Sequence, residues 1–195
     1  MKIGALILAA GLSSRMGAFK PLLELAGKTL IEHTLEPFVQ FGCEPVLVVT
    51  GREADALERF LTEKFAAGIS FVRNPEYAVS DMFASVKIGI RGMAEDCDSF
   101  FLTPADIPLI DKEILRKMAA ETAQVVRPSY QGRAGHPVLL RKDAARRILA
   151  YEGTLGLKGA LDREARAFVE ADSRGILLDV DTFEDLHAIE NFLRK

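Results

Sequence analysis

Leu6 to Leu25 reads LILAAGLSSRMGAFKPLLEL: an apolar run dissolves into small residues, delivers an arginine, Arg15, and a lysine, Lys20, and then turns apolar again. Ile3 to Ala9, which leads into the stretch, is continuously apolar, as a strand covered on both faces must be. The same character returns in EPVLVVT (Glu44 to Thr50) and DSFFLT (Asp98 to Thr103), so these three are read as central parallel strands. Between the first two, Thr29 and Glu32 have capping-box spacing, and Leu30, His33, Thr34, Pro37 and Phe38 form a largely apolar stripe that Gly42 ends. A second helix is expected over Ala54 to Phe65, and ISFVRNP supplies a shorter strand closed by Asn74-Pro75.

Beyond the third strand, Asp111 is placed to cap a helix whose inner face carries Ile114, Leu115 and Met118. The last third is less regular: QVVRP, HPVLLRKD, a helix near Ala144 to Ala150, the glycine-rich GTLGLKGALD, a strand over Ile176 to Val180 and a final helix. No linker, repeat or low-complexity segment interrupts residues 1–195, which are read as one domain. The expected fold is a three-layer α/β/α sandwich with a mainly parallel, mixed sheet.

Composition bounds the function. With 49% hydrophobic and 27% charged residues the 195-residue chain can bury a real core, and a net charge of −3 argues against a nucleic-acid partner. No stretch approaches the roughly 20 apolar residues of a membrane helix, and Ile3 to Ala10 is short for a secretory signal whose cleavage would remove the loop behind it. Cys43 and Cys97 lack metal-type spacing and read as buried thiols, so a reducing, cytoplasmic setting without a membrane is expected.

Open α/β sheets bind ligands at the carboxyl ends of their strands, which makes the loop after Ala9 the place to look. It is not a dinucleotide fingerprint, because Ser13 stands where the second glycine belongs. It is not a phosphate loop of the GxxxxGK type either: five residues separate Gly11 from Gly17 and Ala18 follows, while the GKT at Gly27 to Thr29 has Leu22 at the required glycine position. What remains is a small turn, Ala9-Ala10-Gly11, that lets backbone N–H groups approach a phosphate or a base, followed by two cations. Arg15 can fork across two phosphate oxygens and Lys20 suits a single crowded one; the plainer alternative is that both are solvated surface charges.

Two acids belong to the same sheet edge. Asp106 lies in a turn between Pro104 and Pro108 at the end of a buried strand, and Asp181 precedes the final helix. Together they suit Mg²⁺, which takes one or two carboxylates plus phosphate oxygens and water. The alternatives are a turn-stabilising role for Asp106 and a helix cap for Asp181, a job Thr182 could share. Asp111, Asp162 and Asp179 are read as structural.

The loop resembles the nucleotidyltransferase signature L-A-A-G-x-x-x-R-M-G-x-x-K-P with a downstream G-K-x-L. NPEY (Asn74 to Tyr77), TPADIPLI (Thr103 to Ile110), GHPVLL (Gly135 to Leu140) and DVDTFEDL (Asp179 to Leu186) are similar to the molybdenum-cofactor nucleotidyltransferases, most of all the cytidylyltransferases. The resemblance spans nearly the whole chain and implies a Rossmann-like sheet of the nucleotide-diphospho-sugar transferase type. It implies Mg²⁺-dependent transfer of a nucleotidyl group, CTP being favoured, to the phosphate of a pterin cofactor, with pyrophosphate leaving. Leu8, Ala9, Ala10, Gly11, Arg15, Lys20, Met82 and Ser85 are then expected to hold the nucleotide, and His136 and Lys158 the pterin. Arg15, Lys20 and Asp106 are expected to serve catalysis, with Asp106 and Asp181 on the metal; a transient contact with a molybdoenzyme or its maturation chaperone follows as well. Because the attacking phosphate is already ionised, no general base is needed, which agrees with the absence of a catalytic histidine pair.

The chain departs from that pattern at Asp81-Met82-Phe83-Ala84-Ser85-Val86, where the family usually has Gly-Met-Ser-Ser-Ser-Leu; Asp81 caps the next helix in one reading and meets the base in another. His136 reads equally as a satisfied turn histidine, and Lys158 as a solvated side chain on a flexible loop. Two further functions stay open: nucleotidyl transfer to another phosphorylated acceptor, such as a sugar or alcohol phosphate, and a non-catalytic carrier of nucleotide or pterin.

Overall fold

The computed structural model describes residues 1–12, 16–65, 68–93 and 96–193. In chain order these form β1 (Ile3–Ala9), a short hairpin of β2 (Glu24–Leu25) and β3 (Lys28–Thr29), α1 (Leu30–Phe41), β4 (Val46–Thr50), α2 (Ala54–Phe65), β5 (Ile69–Arg73), α3 (Met82–Met93) and β6 (Ser99–Pro104). There follow α4 (Lys112–Ala120), β7 (Val125–Tyr130), β8 (Arg133–Ala134), β9 (Val138–Arg141), α5 (Lys142–Leu149), α6 (Gly156–Leu161), β10 (Arg166–Glu170) and α7 (Phe183–Leu193). The main sheet runs β10-β7-β9-β6-β1-β4-β5, with β8 appended to β7. β6, β1, β4 and β5 are parallel, whereas β9 runs antiparallel to both β6 and β7. The expected mixed, mainly parallel sandwich is the one observed.

Alternation along β1 shows why the sheet is covered twice. Ala5, Ile7 and Ala9 point into one core with Ile31, Leu35 and Phe38 of α1, Leu57 and Leu61 of α2, and Ile114, Leu115 and Met118 of α4. Leu6, Leu8 and Ala10 point into the other, with Val86 and Ile90 of α3, Ala144 and Ile148 of α5, and Ala160 and Leu161 of α6. A third, smaller cluster of Met16, Leu25, Leu30, Val180, Leu186 and Ile189 fastens α7 to the hairpin and to the loop after β1.

The cap signals read from the sequence are present. Thr29 and Glu32 form a complete capping box, Gly42 closes α1 at φ 89°, and the Asp111 carboxylate accepts from Ile114 N at 2.8 Å. Asp81 caps α3 by accepting from Ala84 N at 2.9 Å.

Three expectations are corrected. Ile176 to Val180 is not a strand: Arg174–Leu177 is a 3-10 turn, and Leu178 N–H returns to Gly175 O instead of joining a ladder. The inner face of α1 is Leu30, Ile31, Thr34, Leu35 and Phe38; His33 and Pro37 are only half-buried, and His33 Nε2 lies 2.7 Å from Leu25 O in the hairpin. The glycine-rich GTLGLKGALD is no flexible loop, since it closes into α6. Gly159 is required there, because any Cβ would collide with the Tyr151 hydroxyl.

Cys43 and Cys97 are free and buried; burial pushes the Cys43 thiol up to about 12, with Cys97 adding to the shift. Among the described residues, no helix is long and apolar enough to cross a membrane.

Candidate active site

The carboxyl edge of the parallel strands gathers the charged residues, and each is positioned by buried neighbours. The turn after β6 is pinned from both sides: Ala105 N–H donates to Leu8 O at 3.0 Å, and the buried Thr34 hydroxyl lies 3.0 Å from Ala105 O. Asp106, next in sequence, is thereby fixed beside the end of β1. Its own carbonyl accepts from Val180 N–H at 3.0 Å, which brings the approach to α7 onto the same edge.

Lys20 reaches this edge from a 3-10 turn (Lys20–Leu22) between two anchors, the buried rings of Phe19 and Pro21. Gly17, just upstream, has φ 65°, a conformation that glycine enters without strain. Lys20 Nζ donates to Asp106 Oδ2 at 3.1 Å, to Asp181 Oδ1 at 2.8 Å and to Val180 O at 2.8 Å. Capping of α7, the alternative role for Asp181, is done by its neighbours: Thr182 Oγ1 accepts from Asp185 N at 3.1 Å and donates to Asp185 Oδ2 at 2.8 Å.

Electrostatics follow from burial and pairing. Burial alone works against the Lys20 charge, but its hydrogen bond to Asp181 and the charge and hydrogen bond of Asp106 outweigh it and raise the pKa. For Asp106 the balance tips the other way: burial raises its pKa, Lys20 recovers only part, and Asp179 adds like charge. Asp106 is thus a half-buried carboxylate whose charge is disfavoured by burial and favoured by the adjacent ammonium.

Asp106 lines a cavity of about 330 Å³ with Met82, Pro104, Ile107, Arg133, His136, Ile176, Leu177 and Asp179. One wall is set by Gly135, where any Cβ would run into Ile176 O, and by His136 N–H, which donates to the same carbonyl at 2.9 Å. Burial, with Arg127 adding positive charge, pulls the His136 imidazole down to about 4, so the ring is neutral near pH 7. Its Nδ1 is buried without a hydrogen-bond partner among the described residues.

The other expected residues are distributed as follows. Leu8, Ala9 and Ala10 are buried and Gly11 is exposed, with Leu12 O held by Arg52 Nη1 at 2.7 Å. Arg15 lies outside the described residues. Met82 is exposed at the start of α3, on the cavity. Ser85 is buried, its hydroxyl accepting from Asn74 Nδ2 at 2.9 Å, so its contribution runs through the Asn74 turn. Lys158 stands exposed on α6 and is not among the residues lining the cavity. Asp179, read as structural, lies on the cavity beside Asp106; its spacing from Asp181 in DVD was the signal available. Asp162 pairs with Arg166.

A divalent ion fits this donor set. Two carboxylates converge on one point from different segments, and oxygen is what Mg²⁺ or Mn²⁺ requires. Among the described residues no group of three or more His, Cys, Asp or Glu side chains is arranged for a metal.

Residues 5–169 match the MobA-like NTP transferase domain. The molybdenum cofactor cytidylyltransferase of Escherichia coli K12 is 31% identical over 186 residues, covering 94% of this chain and 93% of that protein. Among solved structures, a nucleotidyl transferase from Methanothermobacter superposes with TM-score 0.83 at 26% identity, covering 99% of this chain and 98% of the other. A Mycobacterium tuberculosis H37Rv protein in complex with manganese shares the fold at TM-score 0.80 and 22% identity, covering 98% and 99%. With the family model matched over residues 5–169 and a curated relative 31% identical across nearly the whole chain, the chain is a nucleotidyltransferase and belongs to the MobA-like NTP transferase family.

Proposed function

We propose that the enzyme transfers a cytidylyl group from CTP to the phosphate of a molybdenum-cofactor pterin. The observation that carries this reading is the convergence of Lys20, Asp106 and Asp181 at the strand edge, beside the cavity walled by Gly135 and His136. The choice of cytidine and of the pterin leans on likeness to the Escherichia coli molybdenum cofactor cytidylyltransferase. An oxygen of the acceptor phosphate attacks the α-phosphorus, the bond between that phosphorus and its bridging oxygen breaks, and pyrophosphate departs with the electron pair.

The protein's part is positioning and charge. Lys20 neutralises charge on the α-phosphate, and Arg15 is proposed to meet the departing pyrophosphate. Ala9, Ala10 and Gly11 let the backbone approach the nucleotide, and Met82 stands where the base or the acceptor meets α3. His136, neutral, offers its ring to an uncharged part of the pterin rather than to a phosphate, and Lys158 would reach an anionic group only from the rim. Asp106 and Asp181 would hold a divalent ion, Mg²⁺ in the cell, which when bound supplies Lewis-acid neutralisation of phosphate oxygens. The two free, buried cysteines suit a reducing compartment, and we place the reaction in the cytoplasm, with product passed to a molybdoenzyme or its chaperone.

The test is pyrophosphate release with Mg²⁺, molybdenum-loaded pterin and each of CTP, GTP, ATP and UTP, the product mass being read in parallel. Release with CTP and a pterin–cytidine dinucleotide mass is expected. Release with another nucleotide moves the base assignment. Silence with all four, despite nucleotide binding, transfers the proposal to other phosphorylated acceptors.

A further inference from the structure

In this structure Lys20 puts positive charge between Asp106 and Asp181, the same service a divalent ion would perform there. An ammonium is a donor on every side, and among the described residues it gives bonds to Asp106 Oδ2 at 3.1 Å, Asp181 Oδ1 at 2.8 Å and Val180 O at 2.8 Å. The lysine side chain is only 13% exposed, so these are sheltered contacts rather than a solvated surface pair. Its backbone is anchored on either side by the buried Phe19 and Pro21, so rotation of the side chain is the way it leaves the carboxylates.

A metal ion bound by both carboxylates cannot coexist with an ammonium on the same oxygens, since two cations would then be forced together at hydrogen-bond distance in a partly buried site. We infer that Lys20 and a divalent ion compete for the Asp106–Asp181 pair, and that a polyphosphate opens the metal site by drawing Lys20 away. This rests on the reading above, in which the two carboxylates hold the ion and Lys20 meets phosphate. A nucleoside triphosphate meets both demands at once: it gives the ammonium a new anionic partner and brings oxygen ligands for the ion. Metal and nucleotide therefore enter together, and the free protein is a poor metal binder by construction.

The competition is tested by titrating the whole chain with Mn²⁺ alone, following free Mn²⁺ by electron paramagnetic resonance, in the wild type, Lys20→Met and Lys20→Gln. Removing charge-assisted hydrogen bonds that the ion must otherwise displace predicts at least about tenfold tighter Mn²⁺ binding in both variants. Mn²⁺ should also raise the melting temperature of the variants more than that of the wild type, and adding Asp106→Asn to Lys20→Met should erase the gain. Wild type binding Mn²⁺ as tightly as either variant overturns the competition and leaves the metal reading standing. The wild type with α,β-methylene-CTP gives a check independent of variant folding: Mn²⁺ retained beyond what the nucleotide alone chelates is expected. Failure to bind Mn²⁺ in every variant and in that complex overturns both the competition and the metal reading on which it rests.

Discussion

Asp106 and Asp181 meet at one ammonium but are delivered there by regions built in opposite ways. Asp106 follows a central strand; its neighbours Ala105, Ile107 and Ile110 are buried in the main core, and the preceding peptide is hydrogen-bonded to β1. Asp181 follows a stretch with no ladder bonds. Among the described residues it is held by the backbone bond from Val180 N to Asp106 O, by Lys20 Nζ, by the bond from Asp181 N to Asp185 Oδ2, by Val180 packing against Leu186 and Ile189, and by the Thr182–Asp185 box. One carboxylate thus shares the stability of the whole sheet, while the other depends on a small satellite cluster that can loosen at lower cost.

That contrast sets the largest expected effects. Asp106→Asn and Lys20→Ala should each lower turnover on the order of 100-fold or more, since each deletes a preorganised charge at the strand edge. A normal rate of pyrophosphate release in either variant removes the residue from the catalytic assignment. Asp181→Asn should cost less, about tenfold at limiting Mg²⁺, because water can replace one oxygen ligand of that ion. The loss should shrink as Mg²⁺ is raised. If it instead matches Asp106→Asn at every Mg²⁺ concentration, the two carboxylates are equivalent and the contrast fails.

The same division explains what could be read from sequence. The parallel half was legible because a strand buried on both faces has to be continuously apolar, as Ile3 to Ala9 is, and because caps such as Thr29, Gly42 and Asp111 act through adjacent residues. ILLDV, Ile176 to Val180, carries the same apolar signature but folds differently, because its backbone is engaged elsewhere: Ile176 O takes His136 N–H and Val180 N–H goes to Asp106 O. Short apolar runs do not disclose such partners. In α1 the inner face takes Ile31 and Leu35 in place of His33 and Pro37, and His33 turns toward the hairpin carbonyl of Leu25, a contact that helical spacing does not contain. At the site, the lysine and both acids were legible from motif and position. The bridging of all three and the part played by the Val180 carbonyl depend on how the C-terminal segment docks, which no local pattern encodes, while the DVD spacing is the one local pointer to Asp179.

Acid should expose the weaker region. The His136 imidazole is held down to about 4, against 6.5 for the free side chain, by burial and then by the charge of Arg127. Between those values the unfolded chain takes up a proton that the folded one refuses, so this contribution to stability is complete above pH 6.5 and drains as pH falls toward 4. Allowing for partial exposure it amounts to about 2 kcal/mol. Because His136 N–H anchors Ile176 O, the loss should be felt first along the segment that leads to Asp181. Melting temperature followed from pH 7 downward should fall more steeply in the wild type than in His136→Asn; parallel slopes would detach the histidine from this behaviour.

The smallest effect is the sharpest probe of the contrast. Thr182 touches neither the cavity nor Lys20 in this structure; its hydroxyl and backbone N–H bind Asp185 and fix the first turn of α7. Thr182→Ala should cost about 1 kcal/mol in stability, the usual worth of a helix cap. If Asp181 is positioned through this turn, the variant should need more Mg²⁺ for half-maximal rate yet regain the wild-type rate when Mg²⁺ is saturating, because Asp106 and Lys20 are untouched. An unchanged Mg²⁺ requirement together with the lowered melting temperature would mean that Asp181 is held in place without the Thr182 hydroxyl, through contacts such as the Val180–Asp106 backbone bond. The second carboxylate would then belong to the main sheet after all.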